Sequence, residues 1–223
     1  VNTGNVLVAQ PSAFTGEAAI IAAAPLQVLK DQLLIQSLDT FAEYLPENVA
    51  KENFAFFGTA LSGTPEREIR WKRAVTFVKN SLGEEVGKTY VAEYFPPKTK
   101  ATADQMVKNI IAAMGRRIDN LEWMSDEAKA KAHQKLAAFT PKIGYPDKWR
   151  DYSGLEVKRD DLFGNALRSN NFDYDYNMGK LGKPIYRWEW GMTPMEINAY
   201  ANFGMVEIVF PAAILQQIGR AHV

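Results

Sequence analysis

The sequence predicts a mainly α chain: a helical domain over residues 1–184, then a short antiparallel β segment over 185–217 that opens a second domain. Three observations predict it. Apolar residues recur at spacings of three and four through most of the first 184 positions. Helix start and stop signals punctuate that stretch. From Ile185 the composition turns β-rich, and the run Met192–Gln216 reads as two strands joined by a turn.

In chain order, Val6-Leu-Val-Ala9 reads as a buried strand that continues from a preceding part. Pro25 to Leu45 places Leu26, Leu29, Leu33, Leu34, Leu38, Phe41 and Leu45 on one apolar helix face. Thr64 with Pro65 predicts an N-cap and first-turn proline, opening a helix through Trp71, Val75 and Val78. Thr102-x-x-Gln105 has the form of a capping box for a helix through Met106, Ile110, Ile111, Met114 and Ile118. Ser125 caps a helix from Asp126 to Phe139, with acids in its first turn and lysines after them. Thr140 to Ser153, with Pro141, Gly144 and Pro146, reads as a loop. A helix from about Asp160 to Lys180 follows, ended by Gly182-Lys-Pro184. Glu196 to Ala201 and Val206 to Phe210 read as an antiparallel pair, turning at Asn202-Phe-Gly204, a composition that tolerates left-handed backbone.

Composition removes several functions. The 26 basic and 26 acidic residues cancel, leaving no electrostatic footprint for nucleic acid or an anionic membrane. No apolar run approaches the roughly 20 residues that span a bilayer. The chain has no cysteine, which excludes disulfides and thiolate metal sites. It also lacks a phosphate-cradling glycine loop, so no nucleotide cofactor is expected, and it lacks a Gly-x-Ser-x-Gly elbow. His133 has no second His one helical turn away and reads as a helix-surface residue. Asp173 and Asp175 are about 200° apart on a helix, which argues against a shared metal. The expected metal site is therefore none, and the expected catalytic residue set is empty.

Several motifs resemble a known family. Asn53-Phe-Ala-Phe-Phe-Gly58, Leu61-Ser-Gly-Thr-Pro65, Arg70-Trp-Lys-Arg73, Leu82-Gly-Glu-Glu-Val-Gly-Lys88, Tyr94-Phe-Pro-Pro97 and Trp123-Met-Ser125 occur in order. Lys142-Ile-Gly-Tyr-Pro-Asp-Lys-Trp-Arg150, Trp190-Gly-Met-Thr-Pro194, Asn198-Ala-Tyr200 and Glu207-Ile-Val-Phe-Pro211 follow them. Together they resemble the neprilysin and endothelin-converting-enzyme family of zinc metallopeptidases, with the bacterial oligoendopeptidase-O-like members the best likeness. The resemblance implies that residues 1–184 are the helical lid domain and that 185–217 begin the thermolysin-like catalytic domain. It implies zinc in the full-length protein, short peptides as substrates, and an extracytoplasmic location. It also implies that the chain stops upstream of the zinc-binding helix, so that it is inactive and zinc-free alone, its partner being the rest of the catalytic domain. Ala201, Phe203, Gly204 and Val206 depart from the family pattern, which carries Tyr, a Pro-Thr pair and Asn there.

The same resemblance makes Asn198, Ala199 and Tyr200 the expected substrate-binding residues, and there is a physical reason for it. A peptidase must hold an extended substrate with its scissile carbonyl fixed, and adding it as a strand to a sheet edge does so through backbone hydrogen bonds. The Asn198 carboxamide offers a donor and an acceptor, and Ala199 is small enough for close approach. The alternative is that Asn198 satisfies a turn and Tyr200 fills a core. A non-catalytic helical binding or scaffold module derived from the same lid stays open as a second function. Ile218-Gly-Arg-Ala-His-Val223 has no family counterpart and reads as sequencing-adapter sequence, which discounts His222.

Overall fold

The structure, a computed structural model, describes residues 7–220, with side chains through Gln216. Eight α-helices and three strands follow one another among these residues. They fall into two compact units: one up to Arg73 together with Ser153–Pro184, the other Ala74–Tyr152 together with the chain from Ile185. Among the described residues, no single helix is long and apolar enough to cross a membrane.

The first unit contains α1 (Pro11–Ala23), α2 (Leu26–Phe41), α3 (Glu47–Phe54) and α7 (Leu162–Met178). The expected helix over 25–45 is α2 followed by a short 3₁₀ turn, Ala42–Tyr44. Its apolar face is largely open: Leu33 is 64% exposed, and Leu26, Leu34 and Leu38 are exposed too. Packing is tighter at the end of the helix, where Phe41 meets Phe163 edge-on at 5.4 Å and Ala42 is buried. Asp161 caps α7, accepting from the Gly164 N–H at 2.9 Å and from Arg168 at 3.0 Å.

Two expectations fail here. Residues 7–9 form no strand, and Leu7 and Val8 are exposed, because no strand among the described residues pairs with them; Val6 lies outside the described residues. Thr64 and Pro65 open no helix. α3 runs into a π-helical turn, Ala55–Leu61, and the next helix starts only at Arg70. The intervening segment is held by tertiary charge: Arg67 reaches Glu43 at 3.1 Å and Glu47 at 3.3 Å, and those ion pairs override a local capping signal.

The second unit is built on α4 (Arg70–Tyr94), which reaches it from Ala74 onward, α5 (Pro97–Asp119), α6 (Asp126–Ala137) and α8 (Ala212–Arg220). α4 bends at Leu82, where the backbone leaves helical geometry (φ −131°, ψ 34°). Gly83 and Gly87, one turn apart, are both buried because Thr193 and Pro194 pack onto the bare backbone; a Cβ there would sit 2.7 and 2.8 Å from those side chains. α5 starts at Pro97, five residues before the expected capping box. The fixed φ of a first-turn proline sets the start, and Thr102 lies inside the helix donating to the Lys98 carbonyl at 3.0 Å. Ser125 caps α6 as expected, accepting from the Ala128 N–H at 3.3 Å.

The expected loop at 140–153 instead begins with a strand, β1 (Thr140–Gly144). It pairs in parallel with β3 (Glu207–Pro211), which pairs antiparallel with β2 (Tyr200–Asn202), giving the order β1-β3-β2. Pro141 is compatible with this because β1 is an edge, where a missing N–H breaks no ladder bond. Val91, Phe95 and Ala212 form the buried core behind the sheet, with Tyr145, Trp149 and Leu215 packed against it.

Candidate substrate-binding edge

The strand expected from Glu196 begins only at Tyr200. Residues 193–196 form a closed turn instead. Glu196 N–H donates to the Thr193 carbonyl at 3.1 Å, while its carboxylate accepts from Thr193 N–H at 3.1 Å and from the Thr193 hydroxyl at 3.0 Å. Asn198 and Ala199 therefore lie just ahead of the strand. The Asn198 Oδ1 accepts from the Ala199 N–H at 2.8 Å, the kind of local bond that the turn reading expects of an asparagine.

Pairing sets which side chains share a face. Tyr200 stands opposite Val209 and Asn202 opposite Glu207, while Lys142 on β1 also stands opposite Val209. Side chains alternate along a strand, so Lys142, Tyr200, Asn202, Glu207 and Val209 lie on one face, and Ala201 and Ile208 lie on the other. That first face is buried on β1 and β3, where Lys142 is 9% and Glu207 4% exposed and Val209 is fully buried, while Tyr200 and Asn202 on β2 are half-buried. The Lys142 ammonium meets the Glu207 carboxylate at 2.8 Å and also donates to the Glu189 carbonyl at 2.9 Å. The Tyr200 hydroxyl accepts from the Gly191 N–H at 2.6 Å. Burial raises the Tyr200 phenol above its ordinary pKa; the Gly191 hydrogen bond pulls it down and the Glu207 charge pushes it up.

The β2–β3 turn is closed by Asn202, whose Oδ1 accepts from the Met205 N–H at 3.1 Å. Phe203 projects from its tip, 90% exposed. Val206 adopts φ +54°, a left-handed conformation that a β-branched side chain rarely tolerates. This is one of the positions where the sequence departs from the family pattern. On α4, Glu84 accepts from the Arg150 N–H at 2.6 Å; burial raises its carboxyl, with that bond and the Arg150 charge opposing the rise.

β2 has a strand partner on one side only, so its other backbone edge is open among the described residues. This is an arrangement to which an extended peptide can add. Among the same residues no group of three or more His, Cys, Asp or Glu side chains could hold a metal ion. His133 faces Asp119 at 2.7 Å on the half-exposed surface between α5 and α6. Among the described residues, then, no set of side chains is arranged to hold zinc. His222 lies outside the described residues. The Lys142–Glu207 pair was missed from sequence; a lysine inside Thr140-Pro-Lys-Ile-Gly144 carries no local sign that it is buried.

Comparison with known proteins agrees with the fold. The model of peptidase family M13 matches residues 2–146. The chain is 33% identical over 196 residues to an endothelin-converting enzyme homolog of Locusta migratoria, covering 85% of this chain and 27% of that protein. It is 31% identical over 226 residues to neprilysin-2 of Drosophila melanogaster, covering 92% of this chain and 29% of that protein. The crystal structure of the Mycobacterium tuberculosis zinc metalloprotease Zmp1 with an inhibitor superposes with TM-score 0.85 at 41% identity, covering 95% of this chain and 32% of that one. The chain belongs to peptidase family M13, whose relatives here are metallopeptidases of the neprilysin kind. It spans less than a third of the length of each of these three proteins.

Proposed function

We propose that this chain is the helix-rich part, with the first strands of the catalytic domain, of a zinc-dependent metalloendopeptidase that hydrolyses short peptides. In this reading Asn198, Ala199 and Tyr200 lead into an edge strand on which the substrate adds. The observation that carries it is the open outer edge of β2 directly after Asn198-Ala199. The backbone groups along that edge supply hydrogen bonds that ignore substrate sequence. Ala199 gives the peptide room. The Asn198 carboxamide, turned from the Ala199 N–H, has one acceptor and two donor hydrogens for a substrate peptide unit. Tyr200 contributes through its backbone, since its half-buried ring lies on the same face as Val209 and Glu207 and its hydroxyl accepts from the Gly191 N–H.

The metal ligands and the water-activating base belong, in this proposal, to parts of the longer protein outside these 223 residues. The 223-residue chain is then inactive by itself and binds no stoichiometric zinc. The test is direct: the full-length protein should cleave a short quenched-fluorescent peptide and lose that activity to a chelator. The isolated 223-residue chain should show neither cleavage nor one zinc per chain. Chelator-insensitive cleavage by the full-length protein would defeat the proposal.

A further inference from the structure

We propose that Glu207, acting through Lys142, is a positioning residue that sets the height and register of the substrate edge; this rests on the reading of β2 as that edge. The contacts close a circuit. Glu207 on β3 pairs with Lys142 on β1 at 2.8 Å. Lys142 holds the Glu189 carbonyl at 2.9 Å. Two residues on, Gly191 N–H holds the Tyr200 hydroxyl at 2.6 Å, and Tyr200 opens β2. β2 returns to Glu207 through the Asn202–Glu207 register. The strand that carries the free edge is only three residues long and has a single strand neighbour, so β3 pairing alone is a weak tether. The loop at 189–191 supplies the second tether, and the buried lysine fixes that loop.

The chemistry of the pair points the same way. A buried ion pair must overcome the desolvation of both charges, and a well-packed apolar pair of similar volume is often as stable. Bulk stability therefore does not require a charge here. What the ion pair adds is direction: the ammonium has donors left over, and one of them is aimed at the Glu189 carbonyl. A methionine at that position could fill the space but could not hold the loop.

The test uses the full-length protein with two variants, Lys142→Met/Glu207→Leu and Tyr200→Phe. The double variant removes both charges without orphaning either, and Tyr200→Phe removes only the hydroxyl tether. Amide exchange in residues 189–202 should quicken about tenfold in each, while exchange in α6 stays as in the parent. Peptide cleavage should fall about tenfold in kcat with little change in KM, because the peptide still docks but its scissile bond is misplaced. Unchanged exchange at 189–202 in a folded double variant would overturn the proposal. So would an equal rise in α6, which would mark the pair as merely structural. If the double variant does not fold, Lys142→Met/Glu207→Gln, which also removes both charges and keeps the volume at 207, decides by the same two readings, with Tyr200→Phe reporting the hydroxyl tether alone. Failure of the edge reading looks different: Asn198→Ala would leave cleavage intact, whatever the exchange data show.

Discussion

Gly144→Ala tests whether β1 and the core behind it pack as described. Gly144 ends β1 at φ +80°, where an L side chain is strained, and a Cβ there would stand 2.6 Å from the ring of Phe95. Phe95 cannot swing away cheaply: it is 0% exposed, clustered with Val91 and Ala212 and edge-on to Tyr145 at 6.3 Å. The backbone cost of a left-handed residue is about 1–2 kcal/mol. Overpacking a full core adds about 1–3 kcal/mol. The variant should therefore lose roughly 2–5 kcal/mol in urea unfolding followed by circular dichroism, with the midpoint lowered and the slope kept. Gly144→Ala/Phe95→Leu should recover part of the packing loss and none of the backbone loss. A Gly144→Ala protein within about 0.5 kcal/mol of the parent, the ordinary scatter of surface changes, would refute the placement of Gly144 against Phe95.

Further outcomes follow from single contacts. Ser125→Ala removes the α6 cap and should cost about 1 kcal/mol, read in the same unfolding assay; Ser125→Asp should restore it. Glu84 gives a pH dependence of stated sign. Its carboxyl pKa is raised in the folded state, so its contribution is fully present below the unfolded-state value and is lost as pH rises through the folded one. Glu84→Gln keeps an acceptor for the Arg150 N–H, so it should flatten the stability–pH curve in that window and be no less stable at neutral pH. A curve as steep as the parent's would assign the dependence to another group.

The parts legible in the sequence are those fixed by near neighbours. The helix after Ser125 needs only a hydroxyl at the N-cap and acids in the first turn, and α5 and α7 follow from periodicity. Failures came where distant groups decide. Thr64-Pro65 lost to ion pairs with Glu43 and Glu47, some twenty residues upstream. β1 was hidden because its partner, β3, lies more than sixty residues away, and no local pattern in a proline-containing pentapeptide announces it. The edge itself was half legible. The turn at Asn202 and the neighbouring strand could be read from composition, but the late start of the strand at Tyr200 depends on the Thr193–Glu196 turn, and the face of Tyr200 depends on register.

The most direct measurement is steady-state peptide cleavage by the full-length protein and its Asn198→Ala variant, with melting temperature and zinc content measured on the same samples. Removing one or two hydrogen bonds to the substrate backbone should cost about 1–3 kcal/mol in the transition state, a roughly ten- to hundredfold fall in kcat/KM, with folding and metal unchanged. Near-normal kinetics accompanied by a melting temperature several degrees lower would make Asn198 a turn residue only. The role assigned to its carboxamide in holding the substrate would then be contradicted.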